Sequence, residues 1–220
     1  MRLVYRSGPV RRFERQRVSS PSPTHRRGAA TRVLRIIGGT WRGRRLRFPD
    51  APAIRPTPDR IRETLFNWLA PVMPGARCLD LFAGSGALGL EALSRGAAQA
   101  TFVERNRQSA RAIEDCLQQW DPERQHEWRI VTAAADAFLA GRAEPFDIVF
   151  LDPPFTSGLL PVTCARLEAG GWLAATARIY LECPAASPPP VPPNWRHERD
   201  KRSGQVGYHL YLRHRGIAAE

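Results

Sequence analysis

The strongest fold signal in the chain is Leu79-Asp80-Leu81-Phe82-Ala83-Gly84-Ser85-Gly86-Ala87-Leu88-Gly89. It predicts a strand, a glycine turn and the start of a helix, which together open a doubly wound sheet. Gly84, Gly86 and Gly89 satisfy the GxGxxG pattern of dinucleotide folds, which is weak evidence when it stands alone. Asp80 distinguishes a site for S-adenosylmethionine from a site for a dinucleotide. A carboxylate before the turn suits the cationic sulfonium and ammonium of S-adenosylmethionine and would repel a pyrophosphate.

Short apolar runs alternate with helical patterns downstream of Pro74-Gly75. The predicted strands are 77–82, 100–104, 129–132 and 146–151, and the predicted helices are 86–95, 107–119 and 158–168. Such alternation predicts a parallel sheet covered on both faces. A further apolar run ends near Glu182, and the segments 195–201 and 206–212 predict a C-terminal antiparallel hairpin. The expected fold class is therefore α/β, a Rossmann-like sheet of the class I methyltransferase type, over residues 71–215.

Two further acids follow predicted strands. Glu104 comes twenty residues after Gly84, where an acid can accept hydrogen bonds from both ribose hydroxyls of an adenosine-type cofactor. Asp136 follows the strand 129–132, where it can contact the adenine amino group or cap the next turn. The expected cofactor-binding residues are Asp80, Gly84, Ser85, Gly86, Glu104 and Asp136.

The chemistry is indicated by Ile148-Val149-Phe150-Leu151-Asp152-Pro153-Pro154-Phe155. The exocyclic amine of a nucleobase is a poor nucleophile because its lone pair is delocalised into the ring. If Asp152 and the Pro153 carbonyl both accept hydrogen bonds from this amine, they favour a pyramidal nitrogen. The two prolines fix the backbone so that the Pro153 carbonyl points at the ligand and does not join the hydrogen bonds of the sheet. Phe155 offers a stacking face worth about 1–3 kcal/mol. The pattern predicts methylation of a nucleobase amine.

The N-terminal part differs in character. Residues 1–32 are rich in Arg, Ser and Pro, and predict a disordered arm that is either a nucleic-acid-binding extension or an over-extended start. Residues 33–70 predict an RNA-contacting extension. In it, a hairpin pairs 33–37 with 40–44 around Gly38-Gly39, and a helix capped by Asp59 runs to about Leu69.

The net charge of +12 is confined to this N-terminal part. Residues 1–35 contribute +9, residues 36–62 contribute +5, and the remainder carries −2. Clustered cations of this kind indicate phosphate contacts with a nucleic acid. The arginines that we assign to RNA binding are Arg42, Arg44, Arg45, Arg60 and Arg62.

Cysteine spacing and hydropathy exclude several classes of protein. The four cysteines are far apart and have no histidine partners nearby, which argues against a disulfide framework or a zinc site. No run approaches the roughly 18 apolar residues of a membrane span, and the N-terminus lacks the apolar core of a secretory signal. We expect a cytoplasmic monomer that needs no metal and contacts no membrane.

The four strand-end elements resemble motifs I to IV of the amino-methyltransferases. Three stretches narrow the match to one family: Arg55-Pro56-Thr57, Arg60-x-Arg62-Glu63-Thr64-Leu65-Phe66-Asn67-Trp68-Leu69 and Ala83-Gly84-Ser85-Gly86-Ala87-Leu88-Gly89-Leu90-Glu91-Ala92-Leu93-Ser94-Arg95-Gly96. These stretches resemble the RsmD family, the bacterial 16S rRNA (guanine(966)-N(2))-methyltransferases, and the resemblance covers about residues 34–213. Two features depart from the pattern: the arm is longer than expected, and Asn106 stands where related chains often have an acid.

The resemblance implies an enzyme that uses S-adenosylmethionine to methylate N2 of one guanine in 16S rRNA, within the 30S subunit or an assembly intermediate. Asp152 and the Pro153 carbonyl would orient the amine, and Phe155 would stack on the flipped base. Three alternatives stay open. They are an adenine-N6 DNA methyltransferase, which usually needs an added recognition region, an NAD-dependent oxidoreductase, which leaves Asp-Pro-Pro-Phe unexplained, and a non-catalytic RNA-binding assembly factor.

Overall fold

The computed structural model describes residues 31–49 and 58–214. The predicted arm lies almost entirely outside these residues, as does the Arg55-Pro56-Thr57 motif. The strands are β1 (Thr31–Arg35), β2 (Arg45–Pro49), β3 (Arg77–Asp80), β4 (Gln99–Val103), β5 (Glu127–Val131), β6 (Phe146–Leu151), β7 (Leu173–Pro184), β8 (Trp195–Ser203) and β9 (Val206–Arg213). The helices are α1 (Asp59–Leu69), α2 (Ala87–Ser94), α3 (Arg107–Trp120), α4 (Ala135–Leu139) and α5 (Leu160–Ala169), with 3₁₀ turns at Ala70–Val72 and Phe155–Ser157.

Seven strands form one sheet in the order β5-β4-β3-β6-β7-β9-β8. The first five are parallel, and β9 and β8 complete the sheet as an antiparallel hairpin. This topology confirms the predicted fold class. The chain runs outward from β3 to β5 and then returns to the other side of β3 with β6, so the strand order reverses between β3 and β6. Ligands of doubly wound sheets bind at the carboxyl edge of such a reversal. No helix in the described ranges is long and apolar enough to cross a membrane.

Both faces of the sheet are buried, which explains why its parallel strands are continuously apolar. One face packs against α1, α2, α3 and the N-terminal hairpin, in a cluster that includes Phe48, Leu65 and Phe150. The other face packs against α4 and α5, around Val149 and Trp172. The N-terminal extension therefore shares a single apolar core with the sheet.

The N-terminal hairpin pairs later in the chain than the sequence predicts. Leu34 pairs with Leu46 across the two strands. Residues 40–44, which the sequence predicts as the second strand, lie instead in the connection between the strands. The reason is a contact with α2: Thr40 N donates to the Ser94 carbonyl at 2.7 Å, and Trp41 N donates to Ser94 Oγ at 2.9 Å. Gly39 makes this approach possible, because a Cβ at its φ of +77° would lie 1.6 Å from the Ser94 oxygen.

Helix α1 also corrects two predictions. Pro58, not Asp59, occupies the cap position, and the Asp59 carboxylate instead binds Arg62 and Arg35 at 2.6 and 3.3 Å. Arg62 is fully buried and donates to the Arg35 carbonyl at 2.7 Å, with Glu91 3.6 Å away. A buried guanidinium held by protein acceptors cannot reach RNA phosphate. Arg62 is therefore removed from the set of RNA-binding arginines.

Candidate active site

A cavity of about 660 Å³ opens at the carboxyl edge of the sheet, beside the reversal between β3 and β6. This volume lies within the roughly 300–1,000 Å³ typical of small-molecule sites. Most of the predicted site residues line it, namely Asp80, Gly84, Ser85, Glu104, Asp136 and Asp152. Gly86, Pro153 and Phe155 do not line it, and their positions are described below.

Glu104 organises the turns around the cavity. Its Oε2 accepts from Gly84 N at 2.8 Å, and its Oε1 accepts from Asn106 N at 2.6 Å. Each carboxylate oxygen keeps a second lone pair, so Glu104 can still accept from ligand hydroxyls. Asn106, the departure from the family pattern, caps α3 by accepting from Gln108 N and Ser109 N. Its role is structural, and an acid is not needed for it.

Asp80 is buried at the end of β3, in the wall of the cavity. Its Oδ2 accepts from Gly89 N at 3.0 Å, in the first turn of α2. Burial raises the pKa of Asp80 to about 7, against the lowering effect of the Gly89 hydrogen bond. A cationic ligand in this cavity would favour the ionised carboxylate. The geometry therefore suits the charge that the sequence analysis assigned to the ligand.

Gly86 shapes the turn rather than the cavity wall. It has a left-handed φ of +77° immediately before α2, and a Cβ would meet the Ile113 side chain of α3 at 2.9 Å. The glycine pattern predicts contact between Gly86 and a ligand, whereas a side chain at this position would first meet the core residue Ile113. Asp136 is the second residue of α4, lines the cavity with an exposed side chain, and does not cap the helix.

Asp152 follows β6 directly and is half-buried in the cavity wall. Burial and the neighbouring carboxylates of Glu182 and Asp80 raise its pKa well above the usual range. Pro153 is buried, and Pro154 takes its place in the lining. Phe155 does not line the cavity, and its side chain is 43% exposed.

The mouth of the cavity on this side is unusually apolar. Leu159 and Val162 line it and are exposed by 38% and 49%. With Phe155 they make up three of the five large exposed apolar side chains in the described ranges. Exposed apolar side chains gathered at one cavity mouth are typical of a binding surface. The arrangement can receive a flat, uncharged ring beside Asp152.

Known proteins that are similar to this chain include methyltransferases. The family model described as "Conserved hypothetical protein 95" matches residues 34–212. The chain is 52% identical over 181 residues to ribosomal RNA small subunit methyltransferase D of Escherichia coli strain K12, covering 82% of this chain and 90% of the relative. The chain belongs to the RsmD family.

Solved structures support the same assignment. The Escherichia coli protein yhhF is similar with a TM-score of 0.76 at 52% identity, covering 83% of this chain and 98% of that one. Magnesium protoporphyrin IX methyltransferase from Synechocystis, solved with S-adenosylmethionine, shares the fold at a TM-score of 0.52 and 15% identity, covering 70% of this chain and 78% of that one. As a member of the RsmD family, the chain is a methyltransferase whose cofactor is S-adenosylmethionine.

One acid of this RsmD-family site was missed by the sequence analysis. Glu182 is buried on β7, and its Oε1 accepts from the Tyr180 hydroxyl at 2.9 Å. It follows Leu181, the partner of Leu151 on β6, so it stands next to Asp152 in register. The signal was available, because an acid at the carboxyl end of a buried strand is the same feature that identified Asp80 and Asp152.

The remaining arginines assigned to RNA binding are exposed. Arg42, Arg44 and Arg45 lie on the hairpin connection and the start of β2, and Arg60 lies on α1. Arg44 donates to the Trp120 carbonyl at 3.0 Å, and its guanidinium lies 5.9 Å from the Trp120 ring centroid. This RsmD-family chain therefore presents four of the five predicted cations to solvent, and only Arg62 is lost.

Proposed function

We propose that this chain transfers a methyl group from S-adenosylmethionine to the exocyclic N2 amine of a guanine in 16S rRNA. The observation that carries the proposal is the position of Asp152 in the wall of the cofactor-sized cavity, three residues before the exposed Phe155. The names of the RsmD relatives support a small-subunit rRNA substrate. The guanine and its N2 atom are our inference from the amine-orienting chemistry of Asp-Pro-Pro-Phe and from the family resemblance.

The cavity residues fit S-adenosylmethionine. We assign the ribose hydroxyls to Glu104, the adenine amino group to Asp136, and the positively charged part to Asp80, with Gly84 and Ser85 giving backbone contacts. When bound, this cofactor supplies a methyl group made electrophilic by its sulfonium. Asp80 and the other acids at this edge supply the negative potential that such a cation needs.

The nucleobase amine is prepared by this chain's own groups. A bound cationic cofactor favours the ionised form of Asp152. Its carboxylate and the Pro153 carbonyl would then accept hydrogen bonds from the two amine hydrogens, which directs the nitrogen lone pair toward the methyl position. Phe155 stacks on the extruded base, as enzymes that act on a base require. The methylated amine must then lose a proton. The raised pKa of Asp152 makes its carboxylate a better acceptor than an ordinary surface acid.

We assign contacts with rRNA phosphates to the exposed arginines of the N-terminal extension. Arg42, Arg44, Arg45 and Arg60 would hold rRNA phosphates, which gives affinity without sequence selectivity. We propose that the enzyme acts as a monomer in the cytoplasm, on the 30S subunit or an assembly intermediate.

The test is a radiolabelled methyl-transfer assay on naked 16S rRNA, 30S particles and duplex DNA, followed by nucleoside analysis of the product. The proposal requires N2-methylguanosine from one of the RNA substrates. Transfer to adenine N6 in DNA would contradict the proposal and identify the chain as an adenine-N6 DNA methyltransferase. No transfer to any substrate, with intact cofactor binding, would favour a non-catalytic assembly factor.

Neutralising the hairpin arginines should weaken RNA binding in a salt-dependent way. Each phosphate contact steepens the fall of log affinity with log salt by about 0.7–0.9. The double change Arg44→Gln and Arg45→Gln should therefore flatten that slope by up to about 1.8, with cofactor affinity unchanged. Filter binding over a salt series measures it. An unchanged slope would mean that these side chains are only a solvated face.

Cofactor affinity should depend on the ionisation of Asp80. Because the pKa of Asp80 is raised to about 7, its carboxyl group is mostly protonated below that pH. Binding of a cationic ligand then requires Asp80 to release its proton. Affinity should fall as pH drops below about 7, by at most tenfold per unit. Calorimetry at several pH values measures this fall. Asp80→Asn keeps an acceptor for Gly89 N and serves as the control, in which the fall should become shallower because Asp152 is then the remaining cavity acid with a raised pKa.

A further inference from the structure

A second, smaller pocket lies between α1 and the β8–β9 hairpin, on the face of the sheet that α1 covers. Its volume is about 270 Å³, below the usual range for a whole cofactor and suited to a single ring system. Trp68, Tyr180 and Tyr208 supply its aromatic lining, and Ile61 and Leu65 supply aliphatic surface. None of these side chains belongs to the methyl-transfer site described above.

The rim of this pocket is positively charged. Arg60, Lys201 and Arg202 line it, and all three are exposed. Lys201 is the only lysine in the sequence. Its Nζ lies 3.3 Å from Thr64 Oγ1 of α1, and Arg202 Nε donates to the Gly204 carbonyl at 2.8 Å, so both cations are held beside the opening. Aromatic walls beneath a cationic rim fit a nucleotide, whose base stacks while its phosphate meets the cations.

The strand register relates this pocket to Asp152. Lys201 pairs with Tyr208 across β8 and β9, and Tyr208 pairs with Glu182 across β9 and β7. Lys201, Tyr208 and Glu182 therefore form one row across the sheet, and Glu182 follows Leu181, the partner of Leu151, so the row leads toward Asp152. Adjacent strands are about 4.8 Å apart, which separates Lys201 from Asp152 by roughly 14 Å. A short single-stranded RNA segment can span that distance.

We propose that this pocket binds a second, unpaired nucleotide of the RNA substrate, next to the guanine that receives the methyl group. This inference rests on the proposed function, since it names how that RNA is held. The base packs against the half-buried Trp68, above the buried Tyr180 and Tyr208 that form the floor of the pocket, and its phosphates contact Lys201 and Arg202. The pocket fixes where the strand leaves the active site, and it requires single-stranded RNA because a paired base cannot enter.

Lys201 allows a direct test, because amine-reactive labelling can modify only this side chain and the N-terminus. The full-length protein is acetylated in the presence and absence of its methyl-accepting RNA, and peptide mass spectrometry separates the two amines. We expect RNA to protect Lys201 several-fold, while a fully duplex RNA of equal length protects it far less. Equal protection by both RNAs would contradict the proposal and indicate general phosphate contact.

Charge reversal supplies the matching kinetic test. Lys201→Glu with Arg202→Glu should raise the RNA KM at least tenfold, leave cofactor affinity unchanged, and lower the salt slope by about 1.4. Arg111→Glu is the control, since Arg111 is exposed on α3 near the opposite end of the sheet. If wild-type protein methylates RNA but the double variant behaves like the control, the pocket proposal is wrong while the proposed function stands. If wild-type protein methylates no RNA, the proposed function itself fails.

Discussion

Replacing Asp152 with alanine is expected to lower the rate of methyl transfer by about 10²–10⁴-fold, while S-adenosylmethionine affinity stays nearly unchanged. The side chain comes directly after β6 and lines the cavity, so its removal is expected to leave the strand in place. The loss should therefore appear in the chemical step. Single-turnover kinetics at saturating RNA measure this step, and calorimetry measures cofactor affinity.

Two variants sharpen this test. Asp152→Asn keeps size and one acceptor but removes the charge and the proton-accepting capacity, so it should retain more activity than alanine if orientation dominates. Phe155→Ala should mainly weaken capture of the base, with a smaller loss at saturating RNA, because the ring is exposed and outside the cavity lining. Near-normal turnover by Asp152→Ala would show that this acid is structural.

The residues that could be predicted from sequence share one property: they stand at the ends of predicted strands. In a parallel sheet the carboxyl ends meet at one edge, so strand order was not needed to bring Asp80, Glu104 and Asp152 to one cavity. The apolar runs were long enough to identify the strands themselves. The doubly wound fold followed from their alternation with helices, and the structure confirms it.

The features that local sequence does not predict depend on packing between distant segments. Gly86 matches a ligand-binding pattern, yet its constraint is Ile113 on α3, which no local pattern reveals. The hairpin prediction used the nearest glycines as a turn, whereas Gly39 instead permits contact with Ser94 on α2. Arg62 looked like another member of a basic run. Its burial follows from its position on α1, because Arg62 lies on the same buried face of the helix as Ile61 and Leu65.

Glu91 is the residue whose removal should most affect stability, and local sequence does not distinguish it from a solvated helix acid. Its side chain is fully buried. Oε2 accepts from Ile37 N at 2.9 Å, and Oε1 accepts from Gly38 N at 2.8 Å and Arg95 Nε at 2.7 Å. The buried Arg62 guanidinium lies 3.6 Å away. This one carboxylate therefore joins the N-terminal hairpin, α1 and α2.

Glu91→Ala is expected to lower the free energy of unfolding by about 3–5 kcal/mol, because it leaves a buried cation poorly compensated and two partly buried backbone donors without their acceptor. Chemical denaturation measures the loss, and amide hydrogen exchange at Ile37 and Gly38 should rise with it. Glu114→Ala removes an exposed acid on α3 and should change stability by no more than about 0.5 kcal/mol. The change Arg62→Met in the Glu91→Ala background removes the uncompensated charge and should recover part of the stability. If Glu91→Ala unfolds like the Glu114→Ala control, the hairpin is held by its apolar contacts and its hydrogen bonds to Ser94, and the position of its exposed arginines does not depend on this buried ion pair.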